Sequence, residues 1–328
     1  MPAVSTIFKS FQGKKVIVVG DVMIDTYIEG KVTRISPEAP VPVVQFRNRF
    51  SRLGGAANVA LNLKALGADP IICTIIGKDE EADHFMKLVN EAQISAKGII
   101  GYDDRLTTVK TRVIGNNQQL VRVDHEYAAP ITSSAEFALV EAIKEFCEKE
   151  EVAAIIFQDY NKGVLTPEVI KNTIEFANEK GIITTVDPKK ENFFEYKRVT
   201  LFKPNLKELI EGTNLPVNMS DKDSFLTAVN AMNKELEAKY TFVTLSENGV
   251  YINEDQKNHF IPAHPRSIAD VSGAGDTVIA VATLCLACDL DPKTVATLSN
   301  LAGGLVCEQV GVVSVNKDDL IKEAKEVL

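Results

Sequence analysis

The stretch Asp270-Val271-Ser272-Gly273-Ala274-Gly275-Asp276-Thr277 places a carboxylate directly after a glycine pair and just before an apolar run of helical spacing, residues 278–288. Glycines ahead of a helix let backbone N–H groups converge on an anion, and the helix dipole adds to the attraction. The pattern predicts a phosphate cradle. Asp276, beside it, would accept the proton of a hydroxyl that attacks phosphorus. A carboxylate is a weak base, but phosphoryl transfer depends mainly on positioning and charge neutralisation. The same Gly-Ala-Gly also reads as a plain tight turn. It is not a P-loop, because no Gly-Lys is followed by Ser or Thr, nor a dinucleotide fingerprint, because position 278 is Val.

A cradle of this kind needs a sheet behind it. Residues 15–19 form a short apolar run ending at Gly20-Asp21, as expected of a buried parallel strand with a functional loop at its carboxyl end. Helical spacing follows over 56–66, strand character over 70–76 and helical spacing again over 79–90. Farther on, 153–157, 182–186, 199–203 and 240–245 read as strands. Thr166-Pro167 opens a helix that closes before Gly181, another occupies 220–239, and the last covers 317–328. This alternation predicts an α/β fold, a doubly wound, mostly parallel sheet in a single domain over 1–328. Ligands should gather at the strand carboxyl ends, near Asp21, Asp159, Asp187, Asn205 and Ser246.

Two segments, 27–46 and 97–123, lack helical period and are rich in Val, Ile and Thr, with turn signals at Ser36-Pro37, Ala39-Pro40 and Gly115-Asn116-Asn117. They are expected to form a small β-sheet lid over the site; plain edge strands with a role in dimerisation are the alternative. A net charge of −9 argues against nucleic acid as a partner. No apolar run is long enough to span a bilayer, and residues 1–13 do not read as a signal peptide, so a cytoplasmic location without a membrane partner is expected. The five cysteines form no even framework, and Cys285 and Cys288, three apart on an apolar helical run, read as structural thiols. His84, His125, His259 and His264 lack metal-ligand spacing.

Residues 270–277 resemble the C-terminal signature of the ribokinase-like (PfkB) carbohydrate kinases, and Gly54-Gly55-Ala56-Ala57-Asn58-Val59-Ala60 resembles their N-terminal signature. Within that family, Gly20-Asp21-Val22-Met23-Ile24-Asp25, the string from Arg34-Ile35-Ser36-Pro37-Glu38-Ala39 to Pro40-Val41-Pro42-Val43, Asn117-Gln118-Gln119-Leu120 and Asp159-Tyr160-Asn161-Lys162-Gly163 are similar to the D-glycero-β-D-manno-heptose 7-phosphate kinase branch. The likeness runs from about residue 15 to the end of the chain.

The resemblance implies ATP with Mg²⁺ as cofactors and a sugar phosphate as substrate. Asp276 would be the catalytic base, with Gly273, Ala274 and Gly275 forming an anion hole. Asn205 and Glu208 would engage ATP phosphates and magnesium, a reading compatible with their being a helix N-cap and first-turn acid. Ser246, Gly249 and Asn300 would border the nucleotide. Asp25 and Asn58 would bind sugar hydroxyls, with Gly54 and Gly55 allowing close backbone approach. Asp159 lies at the same strand ends. Lys110, Arg112 and Lys162 are the cations expected for the phosphate already on the sugar, although a solvated lid face fits them equally. Asp270, Ser272, Gly311 and Ser314 resemble a monovalent-cation site, implying K⁺. The family also suggests a homodimer through the lid. Many relatives fuse the kinase to an adenylyltransferase bearing His-x-Gly-His; none occurs here, so a separate adenylyltransferase is expected. Two other readings stand beside the heptose kinase: a kinase for another sugar or sugar phosphate, and an inactive nucleotide- or sugar-binding regulator.

Overall fold

The computed structural model describes residues 3–254 and 257–328. Residues 1 and 2, part of the stretch read above for a signal peptide, lie outside them. The strands are β1 Lys15–Gly20, β2 Val22–Ile35, β3 Pro42–Gly55, β4 Asp69–Gly77, β5 Ile99–Tyr102, β6 Val109–Gly115 and β7 Gln118–His125. They continue with β8 Val152–Gln158, β9 Ile183–Asp187, β10 Leu201–Phe202, β11 Tyr240–Thr244, β12 Val250–Glu254 and β13 Lys257–Ile261. The helices are α1 Val4–Ser10, α2 Ala56–Ala65, α3 Glu80–Glu91, α4 Ser133–Lys149, α5 Pro167–Lys180, α6 Leu206–Thr213, α7 Lys222–Leu236, α8 Ala274–Leu286, α9 Pro292–Cys307 and α10 Lys317–Val327.

Nine strands form one sheet in the order β13-β12-β11-β10-β9-β8-β1-β4-β5. From β5 to β11 the strands run parallel; at the edge β12 alone runs the opposite way, with β13 antiparallel to it. β1 shows why its sequence is apolar without interruption. Val16 and Val18 enter one core and Ile17 and Val19 the other, because successive side chains of a strand face opposite ways. Helices α2, α3, α8, α9 and α10 cover the first face and α4 to α7 the second. α8 is buried from Asp276 to Leu286, which accounts for a helix apolar on all sides. Among the described residues no helix is long and apolar enough to cross a membrane.

The chain winds from β1 to β4 and β5, then returns beside β1 at β8 and proceeds the other way. Strand order therefore reverses between β1 and β8, where a crevice opens at the carboxyl ends. Gly20-Asp21 and Gln158-Asp159 sit there.

β2, β3, β6 and β7 make a second sheet, in the order β3-β2-β6-β7. β2 and β3 begin and end in the body, at Val22 and Gly55, and extend outward to exposed tips. The expected lid boundaries need correction: β2 and β3 reach beyond 27–46 at both ends, and Ile99–Tyr102 within 97–123 pairs with β4 in the main sheet. Richness in Val and Ile marks a strand in either sheet and does not say which neighbour it takes.

Three element bounds differ too. The strand expected over 199–203 is only Leu201–Phe202, the helix expected over 220–239 spans Lys222–Leu236, and the apolar helix begins at Ala274 rather than at 278. Local capping matches expectation at α5, where Thr166 accepts from Val169 N–H at 3.3 Å and Gly181 closes the helix at φ 68°.

Candidate active site

The N-terminus of α8 opens onto the crevice. Gly273 holds φ 81°, a conformation that favours glycine, and a Cβ there would stand 3.0 Å from Asn58 Nδ2. At Gly275 a Cβ would meet Asp187 Oδ2 at 3.3 Å, so the absent side chain is what lets Asp187 approach the turn. No side chain caps α8, leaving its positive end facing outward. The Ala274 N–H, expected to serve the anion hole, donates to Val271 O at 3.3 Å, a long bond.

Asp276 lies in the first turn of this helix and is almost fully buried. Its Oδ2 accepts from Asn58 Nδ2 at 2.7 Å; its Oδ1 accepts from Tyr160 Oη at 2.8 Å and Gln158 Nε2 at 3.0 Å. Burial, with Asp187 close by, pushes the carboxyl up to about 7, against the downward pull of Asn58, Tyr160 and the Lys203 ammonium. Such a group can hold or release a proton near neutrality, as a general base requires. Asp187 in turn pairs with the buried Lys203 at 3.1 Å. Burial would raise Asp187, but Lys203 and Lys189 outweigh it and hold the carboxyl below its ordinary value.

A cleft of about 600 Å³ runs from Ala274 and Gly275 to Ser246, Gly249, Asn300 and Gly304. Gly249 turns at φ 85°, and a Cβ there would collide with Ile261 O. Asn300 is fixed by donating to Pro262 O at 2.9 Å. Asn205 and Glu208 form a reciprocal capping box at the head of α6, each bond 2.8 Å, and Glu208 also pairs with Lys189. Lys189, which also lies 3.9 Å from Asp187, ties this cap to the strand ends that carry Asp187.

The pfkB family carbohydrate kinase model matches residues 13–319. The chain belongs to that family. It is a carbohydrate kinase with a ribokinase-like fold. It is 39% identical over 308 residues to the bifunctional protein HldE of Methylobacillus flagellatus, covering 94% of this chain and 62% of that protein. It is likewise 39% identical over 299 residues to HldE of Wolinella succinogenes, covering 90% and 61%. The chain thus spans less than two thirds of the length of these relatives. Among solved structures, phosphofructokinase-2 from Escherichia coli, in complex with substrates and products, superposes with a TM-score of 0.78 at 18% identity, covering 96% of this chain and 99% of that one.

The structure divides the kinase's expected substrate residues into two groups. Asn58 is at Asp276, as described. Asp25 is buried on β2 and pairs with Arg112 of β6; Gly54 leaves room for it, since a Cβ there would strike Asp25 Oδ2. Gly55, at φ 62°, lies against Asp21 O. Lys110 pairs with Asp124 at 3.1 Å and Glu126 at 3.0 Å, and Lys162 with Glu126 at 2.7 Å. All three expected phosphate cations are therefore bound to resident carboxylates, partners that alternation on one strand could not disclose. Asp159 is occupied by protein partners: it accepts from Tyr196 Oη, in the segment after β9, at 2.7 Å and from Asn161 N–H of its own loop at 2.8 Å. Burial, with Asp21 nearby, pushes it up to about 6.

Asp270 joins two loops by accepting from Ser272 N–H and Gly311 N–H, both at 2.9 Å; partly buried Ser314 lies three residues beyond Gly311. Among the described residues no cluster of His, Cys, Asp and Glu is arranged for a metal. Sequence reasoning missed Gln158, Tyr160, Lys203 and Glu126. A lysine ending an apolar strand just before Pro204-Asn205 was a usable signal for Lys203.

Proposed function

We propose that this kinase transfers the γ-phosphoryl group of ATP to the anomeric hydroxyl of D-glycero-β-D-manno-heptose 7-phosphate. The product, the 1,7-bisphosphate, would pass to an adenylyltransferase on the way to ADP-heptose for lipopolysaccharide or S-layer glycan. The observation that carries the reading is Asp276: a buried carboxylate near neutrality, at the head of an uncapped helix and the end of a nucleotide-sized cleft, in a chain 39% identical to HldE proteins.

In this reading ATP lies along the cleft between Ser246, Gly249 and Asn300, and its terminal phosphate meets the positive end of α8. The acceptor hydroxyl stands by Asp276, with Asn58 and Asp25 directing the neighbouring hydroxyls. The oxygen donors of Asn205 and Glu208 suit magnesium, which takes oxygen ligands and arrives with nucleotide phosphate, where it neutralises charge. Lys110, Arg112 and Lys162 would hold the sugar's own phosphate after leaving their resident carboxylates. A monovalent cation, K⁺ by family likeness, is proposed for the loops tied by Asp270. Exposed Phe46, Val121 and Val123 on the outer lid support a homodimer through that sheet.

A kinase for another, unphosphorylated sugar is the second reading, favoured by the fact that Lys110, Arg112 and Lys162 are already neutralised. The purified protein would be offered heptose 7-phosphate, ribose, adenosine and fructose phosphates with Mg-ATP while ADP is monitored. Heptose 7-phosphate is expected to be turned over fastest. Turnover of a different sugar alone overturns the heptose assignment, and no ADP release with any acceptor would favour a binding regulator.

A further inference from the structure

The two oxygens of Asp276 are unequally occupied. Oδ1 accepts from both Tyr160 Oη and Gln158 Nε2, whereas Oδ2 accepts only from Asn58 Nδ2. A carboxylate oxygen offers about two lone-pair directions, so Oδ1 is filled and Oδ2 keeps one open. The Asn58 amide beside Oδ2 has its own Oδ1 buried without a hydrogen-bond partner.

We propose that Tyr160 and Gln158 are positioning residues for the transfer: by filling Oδ1 they make Oδ2 the atom that receives the acceptor's proton. The inference rests on Asp276 being the base. As the acceptor oxygen bonds to the γ-phosphorus, its proton passes to Oδ2 and the bond from that phosphorus to the bridging oxygen breaks, releasing ADP. Tyr160 gives up no proton. Burial and the adjacent Asp276 push its phenol well above the ordinary value, so it stays a donor throughout the working range.

The placement of Tyr160 is built in. Asp21 accepts from the N–H groups of Tyr160, Lys162 and Val164 at 2.9, 3.0 and 3.0 Å, and so fixes the whole loop. Gly163 turns at φ 85°, a conformation that favours glycine, and a Cβ there would strike Ala129 O. The charged groups around Asp276 are Asp187 from β9, which raises its carboxyl, and Lys203 after β10, which lowers it; α2 contributes the neutral Asn58. Asp25 from β2 bears on Tyr160, and the Lys189 ammonium lies 5.7 Å from the Tyr160 ring centre.

Tyr160→Phe removes one oxygen and nothing else. Two readouts would be taken on the full chain: the pH profile of kcat by ADP release, and the titration of the Asp276 carboxyl by carbon-13 NMR without substrate. With one donor to the ionised carboxylate lost, the acid limb and the carboxyl titration should both move upward by roughly one pH unit. At pH 6, kcat should fall about tenfold while KM for ATP is unchanged. A Phe variant with wild-type limb and titration overturns the proposal. Should that variant fold poorly, Gln158→Met tests the other Oδ1 donor and is expected to shift both readouts the same way; an unmoved titration there counts equally against it. If the wild-type protein phosphorylates none of the acceptors, the substrate reading falls, and the carboxyl titration still decides Tyr160.

Discussion

The two ends of the active site are finished to different degrees. Around Asp276 the donors of Asn58, Gln158 and Tyr160 converge on the carboxyl, and the opening left is at Oδ2. Under the lid the cations face inward but are consumed by Asp25, Asp124 and Glu126. The first region sits on the main sheet and α8, rigid elements packed on both faces. The second sits on the lid strands and the loops beside them, where the paired side chains are mostly sheltered but β7 is exposed along its length. On the proposed reading the contrast teaches that the bond-making machinery is assembled before substrate arrives, whereas recognition of a charged acceptor would exchange one set of ion pairs for another. Such exchange favours a ligand of higher charge than a carboxylate, which a phosphate is.

The largest expected effect breaks the assembled end. Asp276→Asn should lower kcat by about 10²–10⁴ with KM for ATP little changed, measured by ADP release. It also has a stability signature. Burial pushes the folded carboxyl up to about 7 from an ordinary value near 3.8, so the folded state binds the extra proton between those values, and stability falls as pH rises through that window. The Asn variant should therefore be more stable than the parent at pH 8 by on the order of a few kcal/mol, and no more stable at pH 4, in urea melts at each pH. Loss of activity without that pH-dependent gain would mean that Asp276 is not held near neutrality.

At the other end, Lys162→Met should raise KM for a phosphorylated acceptor about tenfold and leave kcat within a factor of two or so, as expected for a ground-state contact. An equal effect on an unphosphorylated sugar would place Lys162 away from the phosphate. The smallest effect sharpens the comparison most: Glu126→Gln frees Lys162, leaves Lys110 with Asp124 alone, and should lower KM for a phosphorylated acceptor roughly three- to tenfold. A higher KM would show that Glu126 positions those cations rather than competing for them.

Much of this architecture was legible from residue order. β1, β4 and β8 declared themselves as apolar runs, α5 by Thr166, Pro167 and Gly181, and Asp276 by its glycines. What stayed hidden depended on through-space partners. Gln158 is the last residue of an apolar strand and meets Asp276 only because β8 lies beside β1, facing α8. Tyr160 was visible in its motif, but a tyrosine in a polar loop carries no mark of the carboxylate 116 positions away. Likewise, Lys110 and Arg112 were correctly placed on one strand, yet the acids opposite them follow from β2-β6-β7 pairing that periodicity cannot supply.

Asp21 joins β1 to β2, the point at which the chain leaves the main sheet for the lid. Its carbonyl receives the Ala56 N–H at 2.9 Å, where β3 returns, and its carboxylate grips the Tyr160 loop. Mechanically it is the pin of a short linkage. The lid strands take root beside it and the segment bearing Tyr160 is clamped to it, so a single residue ties the foot of the cover to the loop that reaches Asp276.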